Sequence, residues 1–216
     1  MPTESSARVP PNPYTMRIQQ SLEIAATGRV PTQPTRLTRR KRHLVVAADA
    51  WNEFATVWFI RRGHGGAPVD ETMHLVFEEA GWSCTGGGGG TPGADVTTRP
   101  GLDEIAQQQH NLARARRDEP RFGFLVGASI GRHRASIRFQ AVAEAQTLRV
   151  AGREPRPIAH HGFCLVEFDP GHPPIIEAVD GSGEGLGSFT PALTARREPM
   201  HQRPLRRFGT PSPRQG

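Results

Sequence analysis

A chain of 216 residues with a formal net charge of +6 fits one domain with tails, and its two cysteines, Cys84 and Cys164, are too few and too far apart for a disulfide framework. No apolar run approaches the ~18–20 residues that span a bilayer, and no apolar core of a secretory signal opens the sequence, so a cytoplasmic location is expected. The charge is segregated: residues 1–43 carry eight Arg or Lys against two acids, residues 44–190 thirteen against eighteen, and residues 191–216 six against one.

Residues 1–43 read as a basic leader. Residues 1–11 are polar, contain Pro10 and Pro11, and lack the apolar content to fold. A short helix is expected over 12–28: Asn12 suits the N-cap, Pro13 the first helical position and Gly28 the C-cap. Tyr14, Ile18, Leu22 and Ala25 recur at helical spacing between those ends. Such a helix is marginal alone in water, so it docks, either on its own domain or on a partner. A Pro/Thr-rich linker over 29–38 runs into the densest charge run, Arg36, Arg39, Arg40, Lys41 and Arg42. Five cations within seven residues suit phosphate contacts whose strength falls with salt. No aromatic residue interleaves with them to stack on bases, and a solvated leader to the first strand is the plainer reading. The arginine-rich tail, 191–216, is expected to be disordered.

Residues 44–190 read as an all-β domain, an antiparallel immunoglobulin-like sandwich. Phe54–Ile60 is apolar on both faces, as in a central strand. Met73, Leu75 and Phe77 alternate with His74 and Glu78. Ala80-Gly81 turns the chain into a short run with Trp82 and Cys84, and the five glycines 86–90 mark a flexible Gly-rich loop over 85–101. Residues 102–117 are ambiguous: Leu102, Ile105 and Leu112 fit a helical stripe, whereas the Arg/Ala alternation after Asn111 suits a strand. Further strands are expected at Phe122–Val126, Arg132–Phe139, Leu148–Val150, Gly162–Phe168 and Ile175–Val179, punctuated by turns at Ala151-Gly152, Asp169-Pro170-Gly171 and Asp180-Gly181. The expected core is Phe54, Val57, Trp58, Leu75, Phe77, Ile137, Phe139, Phe163, Leu165, Val166 and Ile176. Without βα alternation a parallel sheet is disfavoured.

Within residues 132–188, the runs Leu148-Arg149-Val150-Ala151-Gly152-Arg153, His161-Gly162-Phe163-Cys164-Leu165-Val166 and Ile176-Glu177-Ala178-Val179-Asp180 resemble the end of uncharacterised small β-rich proteins from actinobacteria. The resemblance covers about a quarter of the chain. It implies an immunoglobulin-like sandwich in a bacterial cytoplasm and no particular activity.

Several motifs invite a catalytic or metal reading. Gly127-Ala128-Ser129-Ile130-Gly131 matches GxSxG, in which a strand-to-helix turn lifts the serine over an oxyanion hole. The residues after it alternate at period two and read as a strand, so a hairpin turn is expected at the motif. A small hydrolase using Ser129, with Asp169 and His172 downstream, is the lesser alternative. His160, His161 and Cys164 form HHxxC. Along a strand, His160 and Cys164 stand about 13 Å apart, whereas two zinc ligands sit within about 4 Å of each other, so a surface histidine pair is expected and no metal. The adjacent acids Glu78-Glu79 and Asp118-Glu119 diverge likewise and make no acid–base pair. The glycine run lacks the lysine and Ser/Thr of a phosphate loop, and no cofactor is expected. The row Arg132, Arg134 and Arg138 reads as a polar sheet face, with an anion surface as the alternative. What remains is a non-catalytic interaction module with an unknown protein partner. The alternative is non-specific binding of nucleic acid or another polyanion through Arg36, Arg39, Arg40, Lys41 and Arg42.

Overall fold

The computed structural model describes residues 12–30, 37–38, 40–63, 65–92, 98–112 and 120–192. Almost all of the two segments expected to be disordered, 1–11 and 191–216, lies outside them. In chain order the elements are α1 (Pro13–Thr27), β1 (His43–Trp51), β2 (Phe54–Arg62), β3 (Pro68–Glu78), β4 (Gly81–Pro92), α2 (Leu102–Leu112), β5 (Gly123–Ile130), β6 (Ala135–Ala141), β7 (Thr147–Val150), β8 (Arg156–Pro157), β9 (Phe163–Phe168), β10 (Ile176–Val179) and β11 (Gly185–Phe189). All strand pairs are antiparallel, and the sheets run β1-β2-β3-β4, β5-β6-β9 and β11-β10-β7-β8. No helix among the described residues is long and apolar enough to cross a membrane.

Strand alternation sorts the apolar side chains into three cores. On one face of the first sheet, Val45, Val57, Phe59, Met73 and Leu75 receive Ile18, Leu22, Ile24 and Ala25 of α1. On its other face, Leu44, Val46, Trp58 and Ile60 meet Phe163 and Leu165 of β9. The opposite face of β5-β6-β9 buries Ile137, Phe139, Cys164, Val166 and Phe168 against Leu148, Val150, Ile176 and Ala178 of the third sheet. The order of layers is therefore α1, first sheet, second sheet, third sheet. Each fully buried side chain of this size contributes about 1.5–3 kcal/mol relative to exposure.

The ends of α1 follow from local chemistry. Asn12 Oδ1 accepts the Tyr14 N–H at 2.9 Å, and Gly28, at φ 66°, donates its N–H to the Ile24 carbonyl at 2.8 Å. The β1–β2 hairpin turns on Asn52 and Glu53, with Asn52 at φ 51°, a left-handed conformation that Asn tolerates better than most residues.

Three expectations are corrected and one ambiguity is resolved. The glycine tract expected to open a loop over 85–101 lies instead in β4 and pairs with β3. A Cβ on Gly89 would stand 2.2 Å from the Asp70 carbonyl oxygen and one on Gly87 2.6 Å from that of Thr72, so bare backbone is what lets these strands approach. Phe77, expected in the core, is 55% exposed, because α1 does not reach that end of β3. The GxSxG segment is not the turn: β5 runs through Ser129 to Ile130, and the chain reverses over 131–134 into β6. The ambiguous stretch after Leu102 is helical to Leu112; residues 113–119 lie outside the described residues.

The β9 strand ends the order β5-β6-β9, and among the described residues no further strand pairs with its outer side. Side chains cover that edge. Asp49 on β1 accepts the Glu167 N–H at 2.7 Å and holds Arg153 Nη1 and Arg156 Nη1, each at 2.7 Å. The same two guanidiniums donate to the Glu167 and Leu165 carbonyls. Arg153 also lies over the Trp51 ring, 4.5 Å from its centroid. An edge satisfied in this way offers no template to another chain.

Candidate polyanion-binding cleft

Pairing of β1 with β2 decides where the leader cations go. The register sets His43 opposite Arg61, and the Arg62 N–H donates to the Arg42 carbonyl at 2.9 Å. The turn before β1 is fixed by Thr38 and Lys41: the Lys41 N–H donates to Thr38 Oγ1 at 2.9 Å, and the Thr38 N–H to the Lys41 carbonyl at 3.0 Å. The N-terminus of α1 crosses the same corner. The result is a cleft of about 360 Å³ whose walls include Tyr14, Arg17, Arg42, His43, Arg61 and Arg62.

Glu71 on β3 ties two of these walls together. Its carboxylate takes Arg17 Nη2 at 3.0 Å on one oxygen and Arg61 Nε on the other. Arg17 also donates to the Pro13 carbonyl at 3.0 Å and lies 5.8 Å from the centroid of the Tyr14 ring. The α1 helix thereby places an arginine and an aromatic ring beside the strand cations. Burial, then Arg17 and Lys41, hold the His43 pKa below the usual imidazole value. The neutral ring donates Nε2–H to Gln20 Oε1 at 3.2 Å. Among the described residues no acid pairs with Arg40, Lys41, Arg42 or Arg62, and the buried Nε atoms of Arg17 and Arg62 have no hydrogen-bond partner. A cleft with several cations and one acid attracts anions.

Of the residues expected to bind polyanions, Arg42 lines this cleft, Arg40 and Lys41 precede it in the chain, and Arg36 and Arg39 lie outside the described residues. Sequence reasoning missed Tyr14, Arg17, Arg61 and Arg62. A signal for the last two was present: Asn52-Glu53 between two apolar runs marks a two-residue hairpin turn, and counting outward from it brings 61–62 beside 42–43. No protein-family model, curated protein or solved structure matches this chain.

The other candidate residues have local partners. Ser129 stands in β5 opposite Ser136, with a strand and not a helix following, so no nucleophile elbow forms. His160 and His161 touch edge to face, 5.1 Å between ring centroids. His161 Nδ1 accepts the Phe163 N–H at 3.1 Å, and the Cys164 thiol donates to the Gly162 carbonyl at 3.4 Å. Burial pushes His161 down to about 4 and the Cys164 thiol up to about 12. Among the described residues no three His, Cys, Asp or Glu side chains are placed to hold a metal ion.

Proposed function

We propose that the chain is a non-catalytic interaction module whose ligand is a polyanion, gripped through its phosphates and not through its base sequence. The observation that carries this reading is the hairpin register that gathers Arg42, Arg61 and Arg62 beside Arg17 and Tyr14. Phosphate contacts fix position without reading sequence, and a single tyrosine face suits stacking of any base. A cytoplasmic setting belongs to the same proposal and is supported by Cys84 and Cys164, which are unpaired thiols. Face-to-face packing of antiparallel sheets about Trp58, Phe163 and Leu165 supports an immunoglobulin-like kinship for the body.

The test is fluorescence anisotropy of random-sequence DNA with the full chain across a salt series. The four cations without an acidic partner, Arg40, Lys41, Arg42 and Arg62, give a slope of log affinity on log salt near −3.6 for duplex, about −0.9 per contact. Arg62→Gln should flatten that slope by about 0.9 and weaken all sequences alike. Absence of binding even at low salt would refute the reading. A protein partner would then stand as the second reading, favoured by the exposed Phe77, whose ring meets Trp82 edge-on at 5.3 Å on the sheet face that α1 leaves open.

A further inference from the structure

At the far end of the first two sheets from the cleft, polar side chains replace the apolar packing. Ser129, Ser136 and Glu167 stand side by side across β5, β6 and β9. Thr56 and His74 stand side by side across β2 and β3. The two rows face each other and are bridged by one bond, Thr56 Oγ1 to Glu167 Oε2 at 2.7 Å. Between them lies a pocket of about 180 Å³ bordered by His74, Ser129, Arg134, Ser136 and Glu167.

Two features distinguish this pocket from ordinary polar packing. Ser136 is 1% exposed, and its Oγ has no hydrogen-bond partner. A buried hydroxyl is rarely left unpaired without a reason. Arg134, in the turn between β5 and β6, reaches across to β3, where Nη1 donates to the Leu75 carbonyl at 3.4 Å. It lies over the Phe54 ring at 5.7 Å and has no carboxylate partner among the described residues. Arg138, next in the row, is by contrast tied to Asp70 at 2.8 Å. We propose that this pocket binds a small oxyanion, held by the Arg134 guanidinium and the hydroxyls of Ser129 and Ser136 and taken up together with a proton on Glu167.

The groups around Glu167 make the coupling necessary. Thr56 on β2 donates to it; Asp49 on β1 opposes its charge; Arg134 and Arg153 favour its charge; and His74 on β3 shares its Thr56 contact. Burial outweighs the rest and lifts its pKa to about 7. His74, held near 4 by burial and by Arg134 and Arg138, stays neutral and adds no cation. An ionised Glu167 repels an incoming anion, whereas the protonated carboxyl does not and keeps an O–H to donate.

The experiment is calorimetric titration with sodium sulfate and, separately, sodium acetate at pH 6 and pH 8. It uses the full chain carrying Arg42→Gln and Arg62→Gln, so that anion binding at the leader cleft is weakened. Both anions keep their charge over that range. Because Glu167 must be protonated, affinity should be about tenfold higher at pH 6 than at pH 8. Amide shifts on anion addition should centre on residues 74, 129–136 and 167. Ser136→Ala should weaken binding several-fold, and Glu167→Gln should bind equally at both pH values. Tighter acetate than sulfate points to a carboxylate ligand, and the reverse to a tetrahedral one; either supports the proposal. No heat at millimolar anion, equal affinity of the parent at both pH values, or shifts centred elsewhere would each overturn it. Since the pocket shares no residue with the cleft, these outcomes leave the DNA-binding reading untouched.

Discussion

Replacing Asp49 by alanine tests what holds the β9 edge. The Asp49 carboxylate accepts three bonds at 2.7 Å, from Arg153, Arg156 and the Glu167 N–H. Hydrogen bonds to a charged group are worth about 1.5–3 kcal/mol each, and an orphaned buried donor costs about 1–3 kcal/mol. Simple addition overshoots, because the two arginine side chains are 16% and 33% exposed and partly rehydrate. The closer guide is loss of one partner of a buried pair, about 3–5 kcal/mol. A loss of about 4 kcal/mol would lower Tm by roughly 8–16 °C at this size. The assay is urea unfolding, with an unchanged m-value showing that stability and not compactness has moved. The control is Arg149→Ala, which breaks the Arg149–Glu177 contact at 3.5 Å between side chains 48% and 38% exposed. An exposed pair of that kind contributes about 0–1 kcal/mol. If Asp49→Ala costs no more than Arg149→Ala, the edge is not held by this clamp.

Three further outcomes are expected. Gly89→Ala forces a Cβ against the Asp70 carbonyl and should lower stability by about 1–3 kcal/mol in urea unfolding, whereas Gly88→Ala, where a Cβ meets open space, should cost less. The folded pKa of Glu167 is raised from 4.5 to about 7, so its contribution is full below pH 4.5 and lost as pH rises through 7; the stability of wild type relative to Glu167→Gln should therefore fall by about 3 kcal/mol between pH 4.5 and 8. With its thiol pushed up to about 12 inside the core, Cys164 should react with a thiol reagent only on unfolding, while half-buried Cys84 reacts in the native state.

The helix was legible because its ends are written in residue types: a cap at Asn12, a proline behind it, a glycine at the close. The glycine tract was misread for an equally physical reason. Composition reports the conformational freedom of glycine in the unfolded chain, but not the neighbouring strand, and here the missing Cβ atoms are what Asp70 and Thr72 require. Alternation placed Phe77 on the same face as Met73 and Leu75, yet nothing local says how far α1 extends over that face. The cleft was half visible. Its leader cations stood out as a run, while Arg61 and Arg62 looked like the end of a strand until the hairpin register brought them to Arg42. Ser129 drew notice as a motif, but the polar pocket it borders depends on Thr56, His74 and Glu167 from distant strands, which no window of sequence contains.

The clamp on β9 also sets a timetable for the chain as it is made. Asp49 meets partners 104, 107 and 118 positions later in the sequence. Closing loops of that length is slow compared with forming hairpins. During synthesis the first four strands and α1 emerge with Trp58 and Ile60 still facing water, since their cover, Phe163 and Leu165, has not yet left the ribosome. At ~5–20 residues per second, that interval lasts several seconds, long enough for a nascent chain to need shelter on its uncovered sheet face.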